Sequence, residues 1–404
     1  MIPLDDAIAH VLDRVGPLPA RTVPLPDAAG LVLAAPVVAT ELVPPFDNTA
    51  MDGFAVRATD LDGATASSPV RLAVVGTAAA GAAPSAGVGP GEAVRIMTGA
   101  PMPSGADAVV MVERTALSDD GAVVAVEIEV EPGNHVRRAG EDVTPGDLLF
   151  DAGDELRAGP LGVLASVGVR EVEVHPRPCV GVVSTGDELV DDGRPLEPGQ
   201  IRDSNRLTLL TMLAQAGFEG VDLGIAPDTE SAIESAFVDG VERCDAILSS
   251  GGVSMGAFDY VKVVLDRIGD MRWMQIAIKP AKPFAFGLVG DTPVFGLPGN
   301  PVSSMVSFEL LARPALRRMA GHRGVHRDRV TAIAGESFGH GDDGKTHFLR
   351  VDGRPDEEGR WRVVRAGGQG SHQLVAMARS AALAVVPSGS VVEPGDPVLI
   401  IPLV

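Results

Sequence analysis

The 404-residue sequence predicts a multidomain protein of the α/β and β class. Between residues 176 and 324, short apolar runs alternate with longer amphipathic segments, which is typical of a three-layer α/β/α domain with a mostly parallel sheet. Residues 44–144 are rich in Gly, Pro and short Val or Ala runs, and predict a β-rich domain. Residues 325–404 end in EPGDPVLIIPLV and predict a small C-terminal β domain.

The segments on either side of the first β-rich domain are expected to pack together. Residues 1–43 and 145–175 would then form one discontinuous helical linker domain. Leu4, Ile8 and Val11 recur at helical spacing, so the chain should begin with an amphipathic helix. Neither a signal peptide nor a membrane-spanning segment is expected, because Gly, Pro or charged residues interrupt every apolar run.

The composition restricts the classes of partner. A formal net charge of −21 and a pI near 4.7 argue against nucleic acid or an anionic membrane, because both partners require a basic surface. We therefore expect a cytoplasmic enzyme. Cys179 and Cys244 lack any Cys-x-x-Cys partner and are expected to be buried, reduced thiols rather than zinc ligands or part of a disulfide framework.

Within the α/β region, alternating strands and helices can be placed in order. CVGVV at residues 179–183, VDLGI at residues 221–225, AILSS at residues 246–250 and VFGL at residues 294–297 read as strands. Asp228 is expected to cap the helix that follows the second strand, and Asn300 the helix that follows the last, with Pro301 in its first turn. Pro314 is expected to kink or end that last helix.

Several unusual loops follow these strands and should converge on the carboxyl edge of the sheet. STGDEL offers hydroxyls, a glycine that permits close backbone approach, and two carboxylates: Ser184, Thr185, Gly186, Asp187 and Glu188. LSSGGVSMG offers hydroxyls and backbone amides suited to a phosphate: Ser250, Gly251, Gly252 and Ser254. Asp259 follows that loop, and Mg²⁺ could bridge its carboxylate to a bound phosphate.

IKPAKP places Lys279 and Lys282 three residues apart between prolines, which suggests local capture of an anion in an otherwise acidic protein. Any one of these loops could be an ordinary solvated turn, but their combination favours a binding site. The dinucleotide fingerprint G-x-G-x-x-G and the P-loop are absent. A Ser-His-Asp hydrolase is disfavoured, because the G-x-S-x-G motif is also absent and the region contains no nearby histidine.

Eight segments in register along the chain carry a family resemblance. They are PPFDNTAMDGFAVR, RIMTGAPMP, RRAGED, STGDEL, PGQIRDSN, LSSGGVSMGAFDY, IKPAKPFAFG and LPGNPVSS. Together they resemble the molybdopterin molybdenumtransferase family, which includes bacterial MoeA and the E domain of gephyrin. The resemblance implies four domains and an elongated homodimer. It also implies the insertion of molybdate into adenylylated molybdopterin with release of AMP.

The resemblance also implies functional residues. Those in the catalytic set are Asp52, Thr98, Asp142, Glu188, Asp228 and Asp259, of which Glu188, Asp228 and Asp259 would hold Mg²⁺. The substrate-binding set comprises Ser184, Thr185, Gly186, Asp187, Ser250, Gly251, Gly252, Ser254, Lys279, Lys282, Pro298, Asn300, Pro301, Arg350 and Ser371. Ala281 departs from the family pattern, in which glycine is expected, and its methyl group should narrow the loop slightly while leaving both lysines in place.

Two other functions remain open from the sequence. A molybdopterin adenylyltransferase would use the same STGDE and SSGG loops, although it would not need the N-terminal 150 residues or the C-terminal β domain. A non-catalytic scaffold of the same fold is the second alternative, and the intact carboxylates and lysines argue against it. The expected partners are adenylylated molybdopterin, molybdate, a second copy of the chain and, transiently, other proteins of molybdenum cofactor biosynthesis.

Overall fold

The computed structural model describes residues 1–253, 260–339 and 341–403. The first segment contains one helix and three short strands: α1 (Leu4–Leu12), β1 (Arg21–Pro24), β2 (Val32–Leu33) and β3 (Val37–Val38). Ala7 and Val11 form the buried face of α1, and the His10 ring contacts Phe286 edge-on at 5.9 Å. Helix α1 therefore packs on the core of the α/β domain.

Residues 1–18 contact the α/β domain, whereas β1, β2 and β3 pair with strands of residues 145–175. The backbone N–H of Ile2 donates to Gln275 O at 2.8 Å, and that of Leu18 donates to Met319 O at 2.8 Å. Residues 1–18 are thus held to the α/β domain at both ends. The helical periodicity identified the apolar face of α1, but periodicity alone does not specify the surface that such a face contacts.

The β-rich segment that follows contains a mixed six-stranded sheet with the order β8-β5-β7-β6-β10-β9. Its strands are β4 (Asn48–Thr49), β5 (Gly53–Val56), β6 (Val70–Ala78), β7 (Glu92–Ile96), β8 (Ala108–Met111), β9 (Thr115–Leu117), β10 (Val123–Val126) and β11 (Val136–Arg137). Strands β4 and β11 form a separate pair. Apolar clusters cover both faces of the large sheet, one around Phe54 and Leu72, the other around Val94 and Ile96.

The next segment returns to the first strands of the chain. It contains β12 (Leu148–Phe150), α2 (Ala158–Ser166) and β13 (Glu171–His175). Strand β13 lies between β1 and β2, and β12 pairs with β3. A small core around Leu33, Leu156 and Leu164 joins the two segments.

The α/β segment contains the sheet that positions the candidate site. Its elements are β14 (Cys179–Thr185), β15 (Leu189–Val190), β16 (Ile201–Arg202), α3 (Asn205–Gln215), β17 (Glu219–Ala226), α4 (Glu230–Arg243), β18 (Ala246–Ser250), α5 (Tyr260–Ile268), β19 (Asp270–Gln275), β20 (Ile278–Lys279), β21 (Pro283–Val289), β22 (Thr292–Leu297), α6 (Pro301–Ser307) and α7 (Arg313–Met319). The sheet order is β17-β14-β18-β22-β21-β19, and its first four strands are parallel.

Helices cover both faces of this sheet. Val182 and Leu248 face the core shared with α1, α3, α6 and α7, whereas Val183 and Ile247 face the core shared with α4 and α5. The alternation arises because successive side chains of a strand point to opposite faces. The predicted three-layer α/β/α domain with a mostly parallel sheet is therefore confirmed.

Two local predictions in this domain are wrong. The residue that caps α4 is Thr229, whose hydroxyl accepts from Ala232 N at 3.3 Å, rather than Asp228. Of the two alternatives for Pro314, a kink or an end, the end is wrong, because a π-helical turn at Phe308–Ala312 joins α6 to α7. Such a turn accommodates a proline, which has no N–H and whose ring would clash with the carbonyl four residues earlier.

The C-terminal segment forms a small barrel. Its elements are β23 (Val330–Ala334), β24 (Phe338–Gly339), β25 (Thr346–Pro355), β26 (Trp361–Arg365), α8 (Leu374–Ala378), β27 (Ala382–Val386), β28 (Val391–Val392) and β29 (Pro397–Pro402). The strand order is β20-β25-β26-β23-β29-β27, and β25 also pairs with β27, so the sheet closes on itself. The predicted C-terminal β domain is confirmed, and β20 connects it to the α/β domain.

Glu309 anchors the segment that leads into the barrel. Its carboxylate accepts from Arg327 at 2.7 and 3.2 Å and lies 3.9 Å from Arg313 Nε, and its side chain is only 5% exposed. We expect Glu309→Gln to lower the free energy of unfolding by about 3 kcal/mol, because two half-buried guanidinium groups lose their counter-charge. Urea denaturation measures this loss. Asp239→Asn, which breaks an exposed pair with Arg243, should change it by less than about 0.5 kcal/mol.

His322 lies at the junction between the linker strands and the α/β domain, in a cavity of about 250 Å³ that Glu155, His175 and Arg317 also line. Burial and the nearby Arg317 lower the pKa of His322 to about 4. Between pH 6.5 and 4 the unfolded chain therefore binds a proton at this residue that the folded chain does not. Stability contributed by neutral His322 is present above pH 6.5 and is lost as the pH falls.

We expect His322→Gln to reduce the pH dependence of stability between pH 7 and 5 by about 1 kcal/mol, a value reduced for partial solvent exposure. A glutamine oxygen can still accept from Arg317 Nη2, which lies 3.1 Å from His322 Nδ1. Denaturation midpoints of both proteins at several pH values test this. An identical slope in wild type and variant would contradict the expectation.

In the described ranges, no helix combines the length and the apolar character needed to cross a membrane.

Candidate functional site

The candidate site lies at the carboxyl edge of the parallel strands. Thr185, Ala226, Ser250 and Leu297 are the last residues of β14, β17, β18 and β22. Parallel strands end on the same edge, so the loops that follow them converge there. The STGDEL, SSGG and PGNP loops are three of these, and the loop before α4 is the fourth.

The STGDEL loop brings carboxylates to this edge. Glu188 folds back over Gly186, where a β-carbon would lie 2.2 Å from Glu188 Oε2. Asp187 Oδ1 accepts from Asp228 N at 3.0 Å, and Asp187 N approaches Asp228 Oδ2 at 3.5 Å. The backbone therefore ties together the loops that carry Asp187, Glu188 and Asp228. Ser184 and Thr185 are buried beneath them.

The SSGG loop requires both of its glycines. Gly251 has a φ of +101° and Gly252 a φ of +69°, a region that side chains disfavour. A β-carbon at Gly252 would lie 2.3 Å from Val261 Cγ2. Ser250 Oγ accepts from Asn205 Nδ2 at 2.8 Å. The predicted residues Ser254 and Asp259 lie outside the described residues.

The PGNP loop connects this edge to the C-terminal barrel. Pro298 begins the loop, Asn300 occupies the N-cap position of α6 and Pro301 is its first residue, as predicted, although the Asn300 side chain makes no capping hydrogen bond. Val302 N donates to Ser371 O at 3.1 Å, which brings the GQGSH segment beside the loop.

Arg350 lies next to this junction and carries a buried positive charge. It is 1% exposed, and its Nη2 donates to Gly368 O at 3.3 Å and Gly370 O at 3.2 Å. Burial lowers the pKa of its guanidinium group. Among the described residues no carboxylate pairs with it, and its Nε has no hydrogen-bond partner. A buried guanidinium without a counter-charge is costly, so the arrangement suits an oxyanion ligand.

The two predicted lysines differ from Arg350 in exposure. Lys279 and Lys282 are both exposed, and neither makes an ion pair with any described carboxylate. Ala281 between them is buried, with a φ of +74°. This left-handed conformation accounts for the glycine expected at that position and costs a non-glycine residue roughly 1 kcal/mol.

Asp52 and Thr98 meet in the β-rich domain. Asp52 Oδ1 accepts from both the backbone N and the Oγ1 of Thr98, each at 2.7 Å. The N–H and hydroxyl of Thr98 hold the pKa of Asp52 below its usual value. Asp142 is exposed, and its N–H donates to Val43 O at 2.9 Å. In the described part of the chain, no hydrogen bond or ion pair joins these three residues to the loops of the α/β domain.

The carboxylates at the sheet edge fit a magnesium ion. Within residues 1–253, 260–339 and 341–403, no group of three or more His, Cys, Asp and Glu side chains forms a preformed metal site. Mg²⁺ commonly takes only one or two carboxylates, with water and substrate oxygens as its other ligands. The adjoining loops of Glu188 and Asp228 supply that donor set.

Two functional candidates were missed in the sequence. Asn205 and Arg206 begin α3 and contact the loops of the site, as described below. They belong to PGQIRDSN, a segment that carried the resemblance but was given no role. Their place in that segment was the only signal in the sequence, because their partners lie on other loops.

Comparisons with known proteins cover nearly the whole chain. Residues 2–168 match the family described as MoeA N-terminal region (domain I and II), residues 181–318 match the probable molybdopterin binding domain, and residues 332–403 match the MoeA C-terminal region (domain IV). The molybdopterin molybdenumtransferase of Haemophilus influenzae is 39% identical over 383 residues, which cover 94% of this chain and 93% of that protein. The molybdopterin molybdenumtransferase 2 of Mycobacterium tuberculosis is 40% identical, over 91% of this chain and 90% of the relative.

Comparison with a solved structure leads to the same family. The molybdopterin biosynthesis MoeA protein of Pyrococcus horikoshii superimposes with a TM-score of 0.82 at 29% identity, covering 99% of both chains. The resemblance in the sequence is thus confirmed over all domains. The chain belongs to the molybdopterin molybdenumtransferase (MoeA) family, a family of transferases in molybdenum cofactor biosynthesis.

Proposed function

We propose that the protein inserts molybdate into the dithiolene of adenylylated molybdopterin and releases AMP, forming the molybdenum cofactor. The observation that carries this proposal is the sheet edge, where the carboxylates of Glu188 and Asp228 lie on loops adjoining an anion-binding region. The buried guanidinium of Arg350, which pairs with no carboxylate among the described residues, borders the same region. A metal-assisted cleavage and an oxyanion substrate require these opposite charges side by side.

The loops have distinct roles in this proposal. Backbone amides of the SSGG and PGNP loops and the hydroxyls of Ser184, Thr185 and Ser250 bind the phosphates. Glu188 and Asp228, with Asp259, would hold Mg²⁺. When bound, Mg²⁺ would neutralise charge on the phosphate oxygens as the P–O bond breaks. Asp187 positions Asp228 through the backbone contact described above.

Molybdate would bind on the cationic side of the edge. Arg350 and Ser371 lie beside the PGNP loop, and Lys279 and Lys282 present exposed charges that attract a dianion. Asp52, held by Thr98, would orient molybdate or a water molecule, with Asp142 on the same domain. We further propose that two copies of the chain act together as a homodimer in the cytoplasm, in transient contact with other proteins of molybdenum cofactor biosynthesis.

Two substrate pairs test the reaction. The purified protein is given either adenylylated molybdopterin with molybdate and Mg²⁺, or ATP with molybdopterin and Mg²⁺. The proposal expects AMP and molybdenum cofactor from the first pair only. Pyrophosphate from the second pair would indicate an adenylyltransferase, and no product from either pair would indicate a non-catalytic scaffold.

The lysines provide a more specific prediction. Lys279→Ala and Lys282→Ala are each expected to raise the molybdate concentration at half-maximal rate about fivefold, because an exposed cation attracts a dianion. The free energy of unfolding should change by less than about 0.5 kcal/mol. Lys345→Ala is the matched control, because Asp343 already pairs with that ammonium group at 3.2 Å. An unchanged molybdate dependence in both variants would contradict the lysine roles.

A further inference from the structure

The first turn of helix α3 contacts two loops of the candidate site, and the segment that follows STGDEL, through two neighbouring side chains. Asn205 and Arg206 begin this helix, and neither was assigned a role by the sequence. Their partners lie on different loops. Asn205 reaches the SSGG and PGNP loops, whereas Arg206 reaches the residues that follow β15 and β16, and strand β17.

Asn205 connects the two loops that bind anions. Its side chain is buried, and its Nδ2 donates to Ser250 Oγ at 2.8 Å and to Gly299 O at 2.7 Å. A side-chain amide has two N–H groups, and both are used here. One buried side chain therefore joins the end of β18 to the PGNP loop that follows β22.

Arg206 holds the parallel pair β15–β16, whose first strand directly follows Asp187 and Glu188. Its guanidinium binds Asp191 and Asp222, and its Nε donates to Asp203 Oδ2 at 3.1 Å. Asp191 follows β15 and Asp203 follows β16, and these two strands pair in parallel, so Arg206 joins their C-terminal ends. The Arg206 side chain is only 12% exposed, which limits screening of these pairs by solvent and salt.

We propose that Asn205 and Arg206 are separate positioning residues for the reaction: Asn205 sets the anion-binding loops, and Arg206 sets the carboxylate loop. This inference rests on the proposed function. It has a specific consequence, because loss of Asn205 should weaken substrate binding and loss of Arg206 should weaken magnesium binding. A merely structural role would instead reduce the folded fraction and scale every kinetic parameter together.

Hydrogen exchange of the full-length protein without substrate tests the positioning directly. Asn205→Ala should accelerate exchange of the amides at residues 299–302 about tenfold and leave residues 187–203 unchanged. Arg206→Met should have the opposite pattern. The matched controls are Ser249→Ala, which removes a buried hydroxyl that has no hydrogen-bond partner among the described residues, and Arg202→Met, which removes an exposed cation from the same segment.

Steady-state kinetics provide the second readout. We expect Asn205→Ala to raise the KM for adenylylated molybdopterin about tenfold at an unchanged Mg²⁺ requirement. Arg206→Met should raise the Mg²⁺ concentration at half-maximal rate about tenfold at an unchanged KM. Should either variant fail to fold, Asn205→Asp and Arg206→Lys replace them. The aspartate can still accept from Ser250 but repels Gly299 O, and the lysine cannot span three carboxylates.

The inference would be overturned if both variants changed amide exchange, KM and the Mg²⁺ requirement in the same way. It would also be overturned if their changes were no larger than those of the controls. A different result is that the two variants show their separate exchange patterns while the wild-type protein releases no AMP. It would support the two positioning roles and refute the proposed function, so the two failures are distinguishable.

Discussion

Replacing Glu188 by glutamine is expected to lower the rate of AMP release by about a hundredfold or more, because the neutral amide loses the charge that would hold Mg²⁺ against the phosphates. Glutamine preserves the size of the side chain that folds over Gly186. Glu188 is exposed, so the free energy of unfolding should change by less than about 1 kcal/mol. Quantifying AMP at saturating substrate and increasing Mg²⁺ measures the effect.

Glu197→Gln provides the control for this experiment. Glu197 is an exposed glutamate of the connection between β15 and β16, and its backbone N–H donates to Gln200 at 3.0 Å. Its loss should leave AMP release within about twofold of wild type. If Glu188→Gln is only a few times slower than wild type, Glu188 does not hold the metal. Asp228→Asn then tests whether the metal is held by Asp228 instead, since Asp228 is the other described carboxylate of the proposed set.

The chemistry of the sheet edge could be predicted because it is local in the sequence. A strand followed by hydroxyls, glycine and acids, as in STGDEL, specifies both a position at the carboxyl edge and the groups presented there. The same holds for SSGG and PGNP. Gly251 and Gly252 both have positive φ, and Gly252 also lies close to Val261. The backbone therefore requires glycine at both positions, and the SSGG motif could be recognised in the sequence for this reason.

Long-range contacts could not be predicted in this way. The apolar face of α1 was evident, but the sequence did not show that it covers the α/β core. Asp228 and Thr229 are both good capping residues, and the choice depends on Asp228 N being held by Asp187. Asn205 and Arg206 acquire their roles only through partners on other loops, which no spacing along the chain reveals.

Asp52 lies on the β-rich domain, whereas Glu188 lies on the α/β domain. Asp52 is ionised near neutral pH, since Thr98 lowers its pKa, and it lies in an exposed position on the β-rich domain. In the described residues it contacts no loop of the α/β site. If Asp52 acts on the substrate of a second copy of the chain, each site of a homodimer combines Asp52 of one copy with Glu188 of the other.

Asp52→Ala and Glu188→Ala homodimers should then each be nearly inactive, with at least about a hundredfold loss, because every site lacks one essential carboxylate. Mixing equal amounts under conditions of subunit exchange gives dimers of which about half are mixed. A mixed dimer contains one intact site and one site with both lesions. Activity should therefore recover to about a quarter of the wild-type value.

The alternative arrangement gives a different result. If Asp52 and Glu188 of the same chain shared a site, every site in every mixed dimer would carry one lesion, and mixing would restore nothing. Exchange itself is verified with differently tagged chains, and a doubly substituted Asp52→Ala, Glu188→Ala chain mixed with wild type is the complementary control. In the shared-site dimer that mixed species has one lesion in each site and is inactive, whereas separate single-chain sites would leave one site fully active. Recovery in the first mixture and loss in the second can arise only when the β-rich domain of one copy completes the α/β site of the other.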